Sequence, residues 1–147
     1  MNDGITLVTR RTIRASPVRL FDAWTQPEQL RAWWGPRPVT CSGAEVDLRV
    51  GGRYRIDNAL PDGKTLTIEG EFQVVEAPHR LVYTWRAGHD QASLVTVRFE
   101  PRGDATEVIV IHEQIPNETV RDSHEGGWKG CLEGLERHFA AGYGPPA

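Results

Sequence analysis

The sequence predicts a two-layer α+β domain, an antiparallel sheet packed against one long C-terminal helix, with two short helices after the first strand. Three observations carry this expectation. Apolar and polar residues alternate through several successive segments, most cleanly over 65–74, which is the period of a strand with one buried and one wet face. Turn signals such as Asp62-Gly63 join these segments at hairpin spacing, so neighbouring strands run antiparallel. Over 117–141 the apolar spacing becomes helical, and a single amphipathic helix must lay its apolar face on the sheet.

Residues 5–14 alternate loosely, placing Ile5, Leu7 and Ile13 on one face of a first strand. Ser16-Pro17 then supplies an N-cap and a proline at the first helical position. A short helix is expected from there to about Trp24, with Val18, Phe21 and, at its end, Trp24 facing inward. Pro27 restarts the chain in the same way after Thr25. The second short helix carries Leu30, Trp33 and Trp34, and Gly35-Pro36 and Pro38 stop it.

Residues 44–50 read as a strand with Val46, Leu48 and Val50 on one side. Gly51-Gly52 makes a turn, and Tyr54 and Ile56 begin the next strand. Within 65–74, Leu66, Ile68, Gly70, Phe72 and Val74 take one face, and Thr65, Thr67, Glu69, Glu71 and Gln73 the other. Pro78 breaks to a strand in which Leu81, Tyr83 and Trp85 alternate. The loop Gly88-His89-Asp90-Gln91 leads to a strand presenting Val95, Val97 and Phe99. Arg102-Gly103-Asp104 turns into the last strand, 106–113. Its centre, Val108-Ile109-Val110-Ile111, is apolar on both faces, so this strand is central or is covered outside by a partner.

The last helix is expected from about Asn117 to Ala141, ending at Gly142. At about 100° per residue, His124, Trp128, Cys131, Leu132, Leu135, His138 and Phe139 share one arc. Asp122, Lys129, Glu133 and Glu136 lie opposite. Gly127, Gly130 and Gly134 form a second stripe. An interior helical glycine costs up to about 1 kcal/mol against alanine. The stripe therefore implies either close backbone packing on the sheet or space kept for a ligand. Its place beside His124 and Trp128 favours retained space.

A chain of 147 residues bounds the architecture to one domain, 1–147, with its core at about 5–141. The net charge of -3, with 17 basic residues interleaved among 20 acidic ones, leaves no basic stripe for nucleic acid. No apolar run approaches the ~20 residues of a membrane helix. Met1-Asn2-Asp3-Gly4 opens without a basic or apolar leader, so no membrane partner and a cytoplasmic location are expected. Cys41 and Cys131 read as two buried thiols rather than a disulfide. Five Trp against one Met suggest a rigid, aromatic-walled interior.

The layout is similar to the helix-grip superfamily (SRPBCC), which holds the START-related lipid-transfer domains, the polyketide cyclases and the birch-pollen allergen. Within it the chain most resembles the family named after the C-terminal domain of the activator of the 90-kDa heat-shock protein's ATPase. The likeness runs from Ser16-Pro17 to Trp24, then through Trp33-Trp34-Gly35-Pro36, Asp47 to Gly52, Asp62-Gly63 and Gly70. It continues in Pro78-His79-Arg80-Leu81, Trp85 and Gly127-Trp128 with Leu132 and Leu135. Together these span roughly residues 7–140. The resemblance implies a curved, seven-stranded sheet gripping the C-terminal helix, with a cavity between them. It does not choose among carriers, sensors and cyclases, because fold does not determine function. Heat-shock-protein activation is not expected, since the co-chaperone's separate N-terminal domain has no counterpart in this sequence.

Nucleophilic motifs are absent: there is no G-x-S-x-G and no glycine-rich phosphate loop. His112-Glu113 and His124-Glu125 do not match zinc spacing, so neither a metal nor a cofactor is expected. His112, on the parity of Val108 and Val110, and His124, one turn before Trp128, are both placed to face a cavity. Each is either a hydrogen-bonded core or rim histidine, or a group that orients a ligand or moves a proton.

The function expected from these residues is binding of a small hydrophobic or aromatic ligand between sheet and helix, with no catalysis required. Phe21, Trp33, Trp34, Tyr54, Phe72, Trp85, Val97 and Trp128 would supply apolar walls, and His112 and His124 polar contacts. One alternative is a cyclase- or dehydratase-like enzyme acting on an aromatic or polyketide-like substrate, with a histidine as acid–base group. Another is a protein-interaction module without ligand. A homodimer is expected from the second apolar face carried by Ile109 and Ile111.

Overall fold

A computed structural model describes residues 4–35, 38–88 and 91–140. The chain order is β1 (Ile5–Ile13), α1 (Pro17–Thr25), α2 (Pro27–Trp33), β2 (Thr40–Val46), β3 (Arg53–Ala59), β4 (Thr65–Glu76), β5 (Arg80–Ala87), β6 (Ser93–Arg102), β7 (Ala105–Ile115) and α3 (Glu118–Ala140). The seven strands form one antiparallel sheet in the order β1-β7-β6-β5-β4-β3-β2. This is the curved sheet gripping a C-terminal helix that the sequence implies. Pro36, His89, Asp90, Ala141 and Gly142 lie outside the described residues.

The inward faces of β5, β6 and β7 carry Leu81, Tyr83, Val95, Val97, Phe99, Val108 and Val110, all buried. Helix α3 lays Trp128, Cys131, Leu132 and Leu135 on that face, each at most 3% exposed. Phe139, expected in the same core, is only half-buried. It sits near the helix end under the Arg19 guanidinium, 5.2 Å from its ring centroid, a cation–π contact. In α1, Ser16 caps the backbone N–H of Arg19, and Leu20, Phe21 and Trp24 form the buried face. Val18 is 55% exposed, contrary to expectation, because it falls outside the arc shared by those three residues. The N-cap of α2 is Gln26, without a side-chain cap. Thr25 instead spends its hydroxyl on the Phe21 carbonyl.

Two strand readings are corrected. β2 ends at Val46, and Leu48 and Val50 are exposed rather than aligned with it. The chain has already turned there: Asp47 N–H bonds to Arg53 and Gly52 N–H to Arg49, and Gly51 takes a φ of 84°, which glycine adopts without steric cost. In β4 the register slips between Phe72 and Val74. Val75 then pairs with inward-facing Leu81, and Val74 moves to the outer parity beside Val82. A bulge changes face at one residue, which simple alternation cannot anticipate.

β7 is an interior strand, between β1 and β6. On its outer face Ile109 pairs laterally with Arg10 and Arg98, and Ile111 with Val8 and Thr96. Both isoleucines are half-buried by these neighbours, consistent with arginine stems covering apolar surface. No described helix is long and apolar enough to cross a membrane.

Candidate functional site

Between the β3–β5 part of the sheet and the N-terminal half of α3 lies a cleft of about 370 Å³. Leu60, Leu66 and Ile68 form one wall; Trp34, Trp85 and Trp128 form the aromatic ones; His124 and Gly127 border it from α3. A second cavity of about 250 Å³ adjoins Gln91, Ser93 and Asn117. The two share Trp85, Ala87 and His124 as a common wall. Among the described residues neither is lined by a Lys, Arg, Asp or Glu.

Four of the five indoles have an identifiable hydrogen-bond support. Trp34 stands edge-on to Trp128, centroids 5.8 Å apart, and donates its indole N–H to Asn58 Oδ1 at 2.8 Å. Asn58 Nδ2 donates in turn to the carbonyls of Ile56 and Leu66. Trp128 donates to His112 Nδ1 at 3.1 Å. Trp24 donates to the Tyr83 hydroxyl and Trp33 to the Ala23 carbonyl. Trp85 differs from the other four: its buried Nε1 has no hydrogen-bond partner. A buried N–H left without an acceptor loses about 1–3 kcal/mol relative to a satisfied one.

A match to the model of the activator of Hsp90 ATPase homolog 1-like protein family covers residues 14–140. The chain belongs to this family. An AHSA1-like protein from Aeromonas hydrophila is 27% identical, with a TM-score of 0.81, covering 97% of this chain and 98% of that one. A Chromobacterium violaceum protein is 26% identical, with a TM-score of 0.83 and coverage of 90% and 95%. A Rhodobacter sphaeroides protein is also 26% identical, with a TM-score of 0.83 and coverage of 95% and 94%. A search of curated proteins gave no match.

On this family's fold, the ten residues expected at the site separate into groups. Trp34, Trp85, His124 and Trp128 border the cleft together. His112 stands directly behind them, stacked on His124 at 4.5 Å between centroids. Tyr54 and Phe72 pack with Tyr83 in an adjoining aromatic cluster. Phe21 and Val97 are closed into the core, Phe21 edge-on to Phe99. Trp33 borders a separate groove on the far part of α3. Asn58 and Ser93 carry no motif that marks them in the sequence. Asn58 sits on the inward parity of Tyr54 and Ile56, a polar residue in an apolar series, and that was the available signal.

The tautomer of His112 follows from its partners. An indole N–H only donates, so Nδ1 must carry the accepting lone pair. The proton then lies on Nε2, which donates to Ser93 Oγ at 2.7 Å. Burial, and secondarily the neighbouring His124, pushes the His112 pKa down to about 3. His112 is thus a neutral, fully buried joint between β6, β7 and α3, with both nitrogens engaged. Burial also pushes the Cys131 thiol up to about 12, and it contacts the Gly35 carbonyl. A protonated thiol is a poor nucleophile.

The low His112 value has a consequence for stability. As pH falls below about 6.5, the unfolded chain takes up the proton first. The His112 contribution is therefore fully present above that pH and is lost as pH drops toward about 3. The slope is at most about 1.4 kcal/mol per pH unit. His138, also pushed down by burial, acts in the same direction. Urea midpoints at about pH 7 and about pH 5 should differ less in His112→Gln than in the native sequence.

The helical glycines divide between the two expected roles. A Cβ on Gly134 would stand 2.7 Å from the Trp33 carbonyl oxygen, so this glycine permits close helix packing. A Cβ on Gly127 would meet nothing within 4 Å. Gly130 lines the groove beside Gly134. Gly127→Ala should stabilise the protein by about 0.4–1 kcal/mol, whereas Gly134→Ala should destabilise it. Thermal melting of the two variants checks both signs.

Proposed function

We propose that the protein binds a small, uncharged hydrophobic or aromatic molecule in the cleft between the sheet and α3, and that it does so without catalysing a reaction. The observation that carries this reading is the unpartnered Trp85 N–H, set in an apolar wall whose other indole donors are satisfied. A ligand carbonyl or ether oxygen beside Trp85 would complete that hydrogen bond while its rings pack on Trp34 and Trp128. A mostly apolar cavity with few placed polar groups is the ordinary form of a small-molecule site. The absence of charged side chains from the described walls favours a neutral ligand, since an unpaired charge there would be desolvated without compensation.

Native mass spectrometry of freshly purified protein tests the reading. A retained small molecule, lost after Gly127→Leu narrows the cleft, is the expected result. Protein that arrives empty and takes up no added aromatic compound would reject it.

An acid–base enzyme built on this cleft would depend on His124, because His112 has both nitrogens engaged. For partners, self-association through the outer sheet face is the companion inference. Val8 remains 47% exposed there, beside Ile111. Sedimentation at micromolar concentration should show a dimer; a 16.5 kDa species alone would reject it.

A further inference from the structure

A groove of about 700 Å³ runs between α2, the start of β2 and the C-terminal half of α3. It shares Trp34, Gly35 and Val39 with the central cleft, but otherwise follows a different stretch of α3, from Gly130 to Ala140. Its chemistry is also different. Arg31 of α2 and Arg137 of α3 both line it, with Trp33, Trp34 and Thr40 between them. Among the described residues no Asp or Glu borders it.

Most arginines of this acidic chain are ion-paired, as at Arg11–Glu136, Arg55–Glu45 and Arg121–Glu125. Among the described residues Arg31 and Arg137 have no ion-pair partner, although partners stand at helical spacing. Glu28 lies three residues before Arg31, and Glu133 four residues before Arg137. Glu before a basic residue at these spacings is the favourable order for an ion pair. Neither pair forms, while both arginines line one groove and an Arg137 guanidinium nitrogen lies 3.7 Å from where a Gly134 Cβ would stand. The neighbouring indole N–H groups are already spent, Trp33 on Ala23 and Trp34 on Asn58. Among the described residues the groove therefore offers cationic residues beside the edges of Trp33 and Trp34, which are 4% and 6% exposed, and no competing carboxylate.

We propose that this groove is a second binding site, for a small molecule carrying an oxyanion, a carboxylate or phosphate held by Arg31 and Arg137, with its apolar part against Val39 and the exposed edges of Trp33 and Trp34. Planar guanidinium forks match both oxyanions and are weakly hydrated enough to give up water to them. The site is independent of the reading given to the central cleft.

Backbone-amide NMR titration with benzoate and with inorganic phosphate tests the proposal. At least one probe should bind in the millimolar range, with shifts concentrated at residues 31–35 and 130–140. Arg31→Gln and Arg137→Gln should each weaken binding about tenfold, the loss expected for one charge-assisted contact. Arg→Lys should restore part of it, and added salt should weaken it. Leu66→Trp, which narrows the central cleft, should leave it unchanged. Absence of saturable binding by either probe would overturn the proposal. So would equal affinity in the double glutamine variant. Binding to phosphatidic acid vesicles without binding to either free probe would place the oxyanion on a lipid surface and overturn the small-molecule assignment.

Discussion

Leu135→Ala is expected to destabilise the protein by about 2–5 kcal/mol, the transfer and cavity loss of a fully buried leucine. Leu135 is 0% exposed and lies on the α3 face that also carries Trp128, Cys131 and Leu132. The glycines nearby limit how far the helix can relax into the hole. Gly134 already brings the helix backbone against the Trp33 carbonyl, so inward collapse is opposed on one side. Urea unfolding with an unchanged slope and a lowered midpoint would report this loss. A loss below about 0.5 kcal/mol would mean that α3 does not carry the core.

Gly70→Ala should be as damaging, at about 3 kcal/mol or above, at or beyond the upper end of ordinary overpacking. The reason lies in how β4 meets β5. The Thr84 carbonyl accepts the Tyr54 hydroxyl at 2.7 Å, while the Glu71 N–H bonds to the Thr84 hydroxyl at 2.9 Å. A Cβ on Gly70 would fall on that Thr84 carbonyl and stand 2.8 Å from Tyr54 Cε1. Backbone cannot yield as a flexible side chain can, so β4 and β5 would have to separate beside the central cleft. Tyr54→Phe, which only removes the hydroxyl, should be far milder. Comparing the two variants separates steric exclusion from loss of the hydrogen bond.

Much of this architecture is legible in the sequence because it depends on period. The inward series Leu81-Tyr83-Trp85 and Val95-Val97-Phe99, and the arc Trp128-Leu132-Leu135, are found buried as the alternation and the helical wheel require. The misreadings fall where a single residue breaks period. The bulge after Phe72 sends Val74 outward, and the turn at 47–52 removes Leu48 and Val50 from β2. The bulge leaves no mark in composition, and Gly51-Gly52 marks the turn without showing that it begins at Asp47. The curvature of the sheet and the cavity come from the family resemblance, since local pattern alone does not contain them.

The site was less legible for a different reason. A wall residue and a core residue have the same composition, so Phe21 and Val97 look no different in sequence from Trp34 and Trp128. What separates them is which neighbour is missing, a property of three-dimensional packing. His112 and His124 are a clear example. Both read in the sequence as polar groups on apolar faces, yet one is a sealed structural joint and the other borders two cavities. The unmet N–H of Trp85 could not have been read at all, since it is defined by the partners the other four indoles found.

In the proposed binding mode Trp85 donates to an acceptor on a neutral aromatic ligand. The most direct test of this donation is a calorimetric or fluorescence titration with two probes of similar shape, benzophenone and diphenylmethane, of which only the first carries a carbonyl acceptor. The account predicts tighter binding of benzophenone to the native protein, by about tenfold for one net hydrogen bond. It also predicts that Trp85→Phe removes that preference while leaving diphenylmethane binding nearly unchanged. Benzophenone affinity that is no higher than that of diphenylmethane, or that survives Trp85→Phe intact, would contradict it.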